Sequence, residues 1–234
     1  MTVALVVAGG TGVRMGLDIP KQFAEVEGKP VLMYTLEPFQ SSPEIDAIAV
    51  VLIAGWEDRV RSWAETWGIR KLRWIIPGGE TVQESLRNGV FYLENHLKGQ
   101  DVVVVHDGIR PLVDGFVLAN VLDVCRLHGN AVTAMPYTEQ VFVMDDEAST
   151  VRYIPRETLR RVATPQAYRF DLLDEKYHEA FEKGIGIYGS SYTNTMMTDL
   201  GVRLYFAAGS DRNIKLTTAG ELEFFRAFVR ENRR

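Results

Sequence analysis

Gly9, Gly10 and Gly12 follow an apolar run, Val3 to Val7, and are followed in turn by Arg14 and Lys21. Glycines between a first strand and a helix let backbone N–H groups come close to a phosphate. A guanidinium adds a rigid fork of donors, and an ammonium adds a compact point charge. Pro20 fixes the backbone beside Lys21, and Gly16 lets the chain bend. A loop so equipped suits a polyphosphate whose charge shifts during phosphoryl or nucleotidyl transfer. Two familiar glycine motifs do not apply. The dinucleotide fingerprint G-x-G-x-x-G accommodates Gly10 and Gly12 but meets Met15 at its third glycine, and no Walker A loop is present.

Three further stretches carry chemistry. In "IIPGGETVQES", Gly78 and Gly79 close a strand and Ser85 falls in the next helix. Taken alone, this is also how a plain β-to-α turn reads. In "VVVVHDGIRPLV", a valine run delivers His106, Asp107 and Arg110 to a strand tip. A carboxylate beside a triphosphate makes sense when it carries a hard cation, so Asp107 is the candidate ligand for Mg2+. An Asx turn before Pro111 is the plainer reading of the same aspartate, and His106 reads as a structural, hydrogen-bonding histidine. In "GSDRNIKLTTAGEL", Lys215 is expected at the end of a strand before a threonine-capped helix. Asn213 would tie the loop and Lys215 would meet an anion, with Arg212 a weaker candidate. A solvated lysine is the alternative.

The elements that must position these groups follow from hydrophobic spacing. "VALVVA", "AIAVVLI", "KLRWIIP", "DVVVVHD" and "AVTAMP" are β-branched runs without strict alternation, as strands covered on both faces require. Helical patterns separate them. The clearest places Val82, Leu86, Val90, Leu93 and Leu97 on one face, and another runs through "DGFVLANVLDVCRLHG" to a C-cap at Gly129. The succession predicts a doubly wound, mainly parallel α/β sheet with helices on both faces. After Pro136 the rhythm breaks, and "QVFVMDDEASTVRYIP" reads as a hairpin that either projects as an arm or packs on its own domain. A helix returns at "RFDLLDEKYHEAFEKG". "GIGIYGSSYTNTMMTDLG" reads as a loop with a short helix, "VRLYFAAG" as a late strand, and the last helix is capped by Thr217 or Thr218.

With 234 residues, 46% of them hydrophobic, the chain suffices for one large domain with a real core, expected over residues 1–234 with 137–160 as the arm. The formal net charge of -5 argues against a nucleic-acid groove. The one cysteine, Cys125, excludes an internal disulfide framework and is expected to be a small buried group. No apolar stretch approaches the roughly 20 residues needed to span a bilayer, and no targeting leader is evident. A cytoplasmic protein is the default expectation.

"AGGTGVRMGLDIPKQF" resembles the nucleotide-binding signature of the 2-C-methyl-D-erythritol 4-phosphate cytidylyltransferases and of their relatives, the ribitol-5-phosphate cytidylyltransferases. The resemblance implies that Ala8, Gly9, Gly10 and Gly12 wrap the triphosphate of CTP. Arg14 and Lys21 would steady its α-phosphate and the departing pyrophosphate. Gly79 and Ser85 would hold the cytosine and ribose, as in the family's "GG…S" segment. The "HD..RP" motif implies that Asp107 contacts Mg2+ or the acceptor, with Arg110 organising that site. The "NIK.T" block implies that Lys215 holds the acceptor's phosphate. "IPRETLRRVATPQAYRF" resembles the stretch after the family's dimerisation arm, so Arg156 would enter a partner's site in a homodimer.

The expected reaction is transfer of CMP from CTP to an alditol phosphate, with release of pyrophosphate. The chain departs from the pattern at Val82, where the family has arginine. Glu139–Gln140 replaces an Asp-Thr pair. Ser191–Tyr192 replaces a Thr-Asp pair near the acceptor phosphate. Ser191 would keep a hydroxyl donor for the acceptor. The "AGGTG" loop and Ile109 lean toward the ribitol branch. Competing expectations are a nucleotidyltransferase using another nucleotide or a sugar phosphate, and a degenerate regulatory protein that binds nucleotide without catalysis.

Overall fold

A computed structural model describes residues 1–10, 19–189 and 192–232. Its centre is a seven-stranded sheet. β1 (Thr2–Ala8) pairs in parallel with β4 (Ala47–Leu52) on one side and with β6 (Val102–Asp107) on the other. β5 (Leu72–Pro77) extends the β4 edge in parallel. Beyond β6 come β10 (Arg160–Arg169), antiparallel to both its neighbours, then β7 (Asn130–Pro136) and β11 (Phe206–Ala208). The chain winds outward from β1 through β4 to β5, then returns to the other side of β1 as β6. That reversal opens a crevice outside the carboxyl ends of β1 and β6, where ligands of open α/β sheets bind.

Strand alternation divides the core into two layers. Ala4, Val6 and Ala8 of β1 face the side covered by α1 (Val31–Ser41), α2 (Glu57–Thr66) and α4 (Gly115–His128). Val3 and Leu5 face the side covered by α3 (Val82–Leu93), α5 (Phe170–Lys183) and α6 (Thr193–Asp199). A strand buried on both faces explains the unbroken apolar runs. Each large aliphatic side chain so buried contributes about 1.5–3 kcal/mol. Cys125 is buried in the first layer, as expected. A smaller cluster packs α7 (Ala219–Glu231), through Leu222, Phe225 and Val229, on Val26, Val31 and Ile109. The β2 (Glu25–Val26) and β3 (Lys29–Pro30) pair leads into α1.

Helix boundaries follow local chemistry. Thr81 and Glu84 form a reciprocal capping box at the start of α3, and Asp114 caps α4 through Val117 N–H. Gly129, at φ 84°, ends α4 in the left-handed region that glycine enters without penalty. α3 stops at Leu93, short of the predicted Leu97. There the N–H groups of both His96 and Leu97 donate to the Leu93 carbonyl, and Leu97 is still buried. Thr218, not Thr217, is the N-cap of α7. β8 (Val141–Val143) and β9 (Arg152–Ile154) form a two-stranded sheet separate from the central one. Among the described residues no helix is long and apolar enough to cross a membrane.

Two features differ from the expectation. β10 is a full strand inserted between β6 and β7, although Pro165 interrupts its sequence. A register shift between Ala163 and Gln166 accommodates it. Lys215, expected at a strand end, lies in irregular chain, because β11 stops at Ala208. The segment docks instead through Leu216 N–H, which donates to Ile109 O.

Candidate active site

The end of β1 is shaped from behind by a buried amide. Gln22 Nε2 donates to the carbonyls of Ala8, at 2.7 Å, and Gly10, at 2.9 Å. Gln22 belongs to the 3-10 turn Lys21–Phe23, so this clamp couples the start of the glycine loop to the backbone carrying Lys21. Phe23 anchors the same turn, stacked 4.2 Å from the Trp56 ring and fully buried. Gly12, Arg14 and Ser191 lie outside the described residues.

Ser85 joins this loop to the next strand end. Its Oγ accepts from Gly79 N–H at 3.0 Å and donates to Thr81 O at 2.9 Å. A Cβ on Gly9 would stand 3.0 Å from the same Oγ, and one on Gly79 would stand 2.4 Å from Glu84 Cβ. Both glycines are therefore dictated by close packing as much as by any ligand.

Asp107, Arg110 and Lys215 meet at one carboxylate oxygen. Arg110 Nε donates to Asp107 Oδ2 at 2.8 Å, and Lys215 Nζ lies 3.2 Å from the same atom. Burial alone would raise the Asp107 carboxyl, but the charges of Lys215 and Arg110 reverse this and hold it at about 2. Asp107 is thus ionised at any working pH. Its backbone N–H donates to Thr164 Oγ1 at 3.1 Å. Thr164 is available for this because the β10 ladder breaks there, and such irregularities re-aim side chains beside sites. Arg110 Nη1 donates to Asn213 O, and Asn213 Nδ2 donates to Thr164 O. β6, β10 and the Lys215 segment are thereby tied into one unit.

His106 supports this unit from inside. Its Nε2–H donates to Arg110 O at 3.0 Å, while Nδ1 has no partner among the described residues. Burial pushes the imidazole down to about 4, only partly opposed by the Arg110 carbonyl and the Asp107 charge. The histidine is neutral and structural.

Asp107, Arg110 and Lys215 line a cleft of about 320 Å³ together with Val82, Thr164 and Tyr192. Of the predicted residues, these three come together directly. Val7 of β1 lines the cleft, whereas Ala8, Gly9, Gly10, Gly79 and Ser85 are not among its lining residues; Ser85 Oγ joins Gly79 N–H to the neighbourhood of Gly9. Arg156 is not among the cleft residues. It is exposed in the arm, donating to Thr138 O at 3.0 Å. Sequence reasoning missed Thr164 and Gln22. Gln22 directly follows Lys21, but its role depends on contacts fourteen and twelve residues away.

For Mg2+, Asp107 offers one hard anionic oxygen. Oδ2 is occupied by the two cations, and Oδ1 makes no hydrogen bond among the described residues. One carboxylate oxygen completed by phosphate oxygens is a usual Mg2+ environment, so the donor set fits.

The chain matches the family model of 2-C-methyl-D-erythritol 4-phosphate cytidylyltransferase (IspD) over residues 2–231. It is 52% identical over 231 residues to a ribitol-5-phosphate cytidylyltransferase of Lacticaseibacillus paracasei, covering 99% of each chain. A ribitol-5-phosphate cytidylyltransferase of Vibrio parahaemolyticus is 35% identical, with 98% of this chain and 96% of that protein covered. The fold is shared with the 4-diphosphocytidyl-2C-methyl-D-erythritol synthase of Anaerococcus prevotii, at a TM-score of 0.81 and 23% identity over 98% of both chains. The chain belongs to the 2-C-methyl-D-erythritol 4-phosphate cytidylyltransferase family.

Proposed function

We propose that this cytidylyltransferase moves CMP from CTP to ribitol 5-phosphate, giving CDP-ribitol and pyrophosphate. The observation that carries the reading is the meeting of Asp107, Arg110 and Lys215 in one cleft at the carboxyl ends of β1 and β6. The choice of ribitol rests on the relative that is 52% identical.

An oxygen of the acceptor phosphate attacks the α-phosphorus of CTP in line. The new P–O bond forms as the bond to the bridging α–β oxygen breaks, and pyrophosphate leaves. The attacking phosphate is already ionised near neutral pH, since its second pKa is about 6, so no general base is required. The barrier lies in bringing anions together and in the charge that gathers at the transition state. Arg14 and Lys21 act on the nucleotide's phosphates, while Lys215 and Arg110 receive the acceptor's phosphate. Ser191 adds a hydroxyl on the acceptor side. Ala8, Gly9, Gly10 and Gly12 bind the triphosphate, and Gly79 and Ser85 hold the nucleoside. Asp107 would hold Mg2+, which when bound supplies further positive charge to the triphosphate.

The arm supports a homodimer. Phe142, Met144 and Tyr153 are exposed on it, an apolar surface of the kind that marks a protein contact. Exchange of arms would carry Arg156 toward the neighbouring protomer's cleft. In this reading the whole chain is one catalytic domain, residues 137–160 form the dimerisation arm, and the enzyme works in the cytoplasm beside its CTP supply.

A coupled pyrophosphate assay with CTP and Mg2+ tests the reading, with ribitol 5-phosphate and 2-C-methyl-D-erythritol 4-phosphate as alternative acceptors. Turnover with ribitol 5-phosphate and much weaker turnover with the other is expected. Preference for methylerythritol phosphate overturns the acceptor assignment, and silence with both overturns the reaction.

A further inference from the structure

Beside the charged cleft lies a smaller one of about 170 Å³, lined by Thr81, Val82, Gln83, Tyr188 and Tyr192 among others. Among the described residues, none that lines it is acidic or basic. Val82 and Tyr192 also line the larger cleft, so the two spaces adjoin across this pair. Tyr192 stands at the boundary in a specific relation to Lys215, whose Nζ lies 5.2 Å from the centroid of the Tyr192 ring. At that distance the ring face attracts the ammonium without neutralising it. Tyr192 is 44% exposed and Tyr188 76%. The Tyr192 backbone starts α6, its N–H donating to Thr195 Oγ1 at 2.8 Å.

We infer that Tyr192 is the residue that positions the acceptor: its ring holds the Lys215 ammonium for the phosphate, and the smaller cleft behind it takes the uncharged polyol chain. The inference rests on the reaction proposed above. A polyol phosphate has one dianionic end and one neutral, hydroxyl-bearing end. The charged side chains Asp107, Arg110 and Lys215 all line the larger cleft, whereas the described lining of the smaller one is uncharged, with two tyrosine rings, a threonine hydroxyl and a glutamine amide beside Val82 and Ile187. Aromatic faces pack on C–H groups while phenol and threonine hydroxyls exchange hydrogen bonds with the chain. A carboxylate at the Tyr192 position would instead compete with the phosphate for Lys215. Tyrosine keeps that positive charge available.

The two parts of the inference separate experimentally. Tyr192→Ala raises KM for ribitol 5-phosphate about tenfold, the scale of a partly desolvated cation–π contact, and leaves KM for CTP within about twofold. It also weakens competitive inhibition by inorganic phosphate, which probes Lys215 without a polyol chain. Tyr192→Phe, which keeps the ring, retains phosphate inhibition. Tyr188→Ala raises KM for the acceptor but leaves phosphate inhibition unchanged. Equal thermal midpoints establish that the variants fold. Acceptor KM unchanged in Tyr192→Ala, or CTP KM raised by the same factor, overturns the inference while leaving the reaction standing. Phosphate inhibition lost equally in Tyr192→Phe overturns the role of the ring. A wild-type enzyme that releases no pyrophosphate with any polyol phosphate overturns the proposed reaction, and this inference with it.

Discussion

Replacing His106 with Gln should flatten the acid limb of the stability profile. In the folded protein the imidazole is 1% exposed, donates from Nε2 to Arg110 O and leaves Nδ1 without a partner among the described residues. Protonation would place a new N–H at Nδ1 with nothing to receive it, inside a site that already holds Arg110 and Lys215. The group therefore titrates at about 4 when folded and at about 6.5 when unfolded. Above pH 6.5 both states are neutral and the histidine imposes no pH dependence. As the pH falls between those values, the unfolded chain takes up a proton that the folded chain refuses, so stability falls with pH. The separation is worth roughly 3 kcal/mol when complete, and roughly 2–3 kcal/mol between pH 7.5 and 4.5. Gln keeps a donor for the Arg110 carbonyl but does not titrate, and any packing loss beside Phe39 is a constant offset. Asp107, held at about 2, stays ionised across this window. Urea unfolding followed by tryptophan fluorescence, at several pH values, gives the two profiles. Wild type and His106→Gln should converge or cross as the pH falls. Profiles that descend in parallel would refute the assignment of His106 as a buried neutral donor.

If Lys21 acts on the nucleotide's phosphates as proposed, Lys21→Ala should lower kcat by about 10²–10³ while the fold is retained. Near-normal turnover in a pyrophosphate-release assay would remove Lys21 from the mechanism. Ser85→Ala strips the acceptor from Gly79 N–H and the donor to Thr81 O. Leaving a part-buried N–H unpaired costs about 1–3 kcal/mol, so KM for CTP should rise by about tenfold or more with kcat less affected. Steady-state kinetics with CTP varied decides this, and an unchanged KM would reduce Ser85 to a helix residue.

The parallel half of the sheet was legible because β1, β4 and β6 are buried on both faces, which leaves β-branched runs that nothing else explains. β10 was hidden by its own irregularity. Pro165 sits in mid-strand, where a proline normally argues against a central strand, and the strand tolerates it through the break between Ala163 and Gln166. That same break presents Thr164 to Asp107. The feature that concealed the strand is thus part of the site. Lys215 was legible as an anion-binding candidate from its motif, but not its irregular backbone, since the support comes from Ile109, far off in sequence. Gln22 left no signal, because an amide that clamps two carbonyls looks like any polar residue until the chain folds.

The placement of Asp107 accounts for how two cations stand together in this cleft. Arg110 and Lys215 both approach one oxygen, within 2.8 and 3.2 Å, so the two cations must also stand close to each other. Unit charges about 4 Å apart in a setting of effective dielectric near 20 repel by about 4 kcal/mol. A single ionised carboxylate between them offsets that repulsion, and Thr164 and Asn213 fix the backbone on which all three stand. The cations are therefore assembled at the cost of folding rather than at the moment of reaction, which is the condition under which electrostatic preorganisation lowers a barrier. The Tyr192 ring, its centroid 5.2 Å from Lys215 Nζ, attracts the ammonium without supplying a second negative charge. One carboxylate is enough to gather the cations. A second beside Lys215 would leave less positive charge for an incoming phosphate, and the ring gives lateral restraint without that loss.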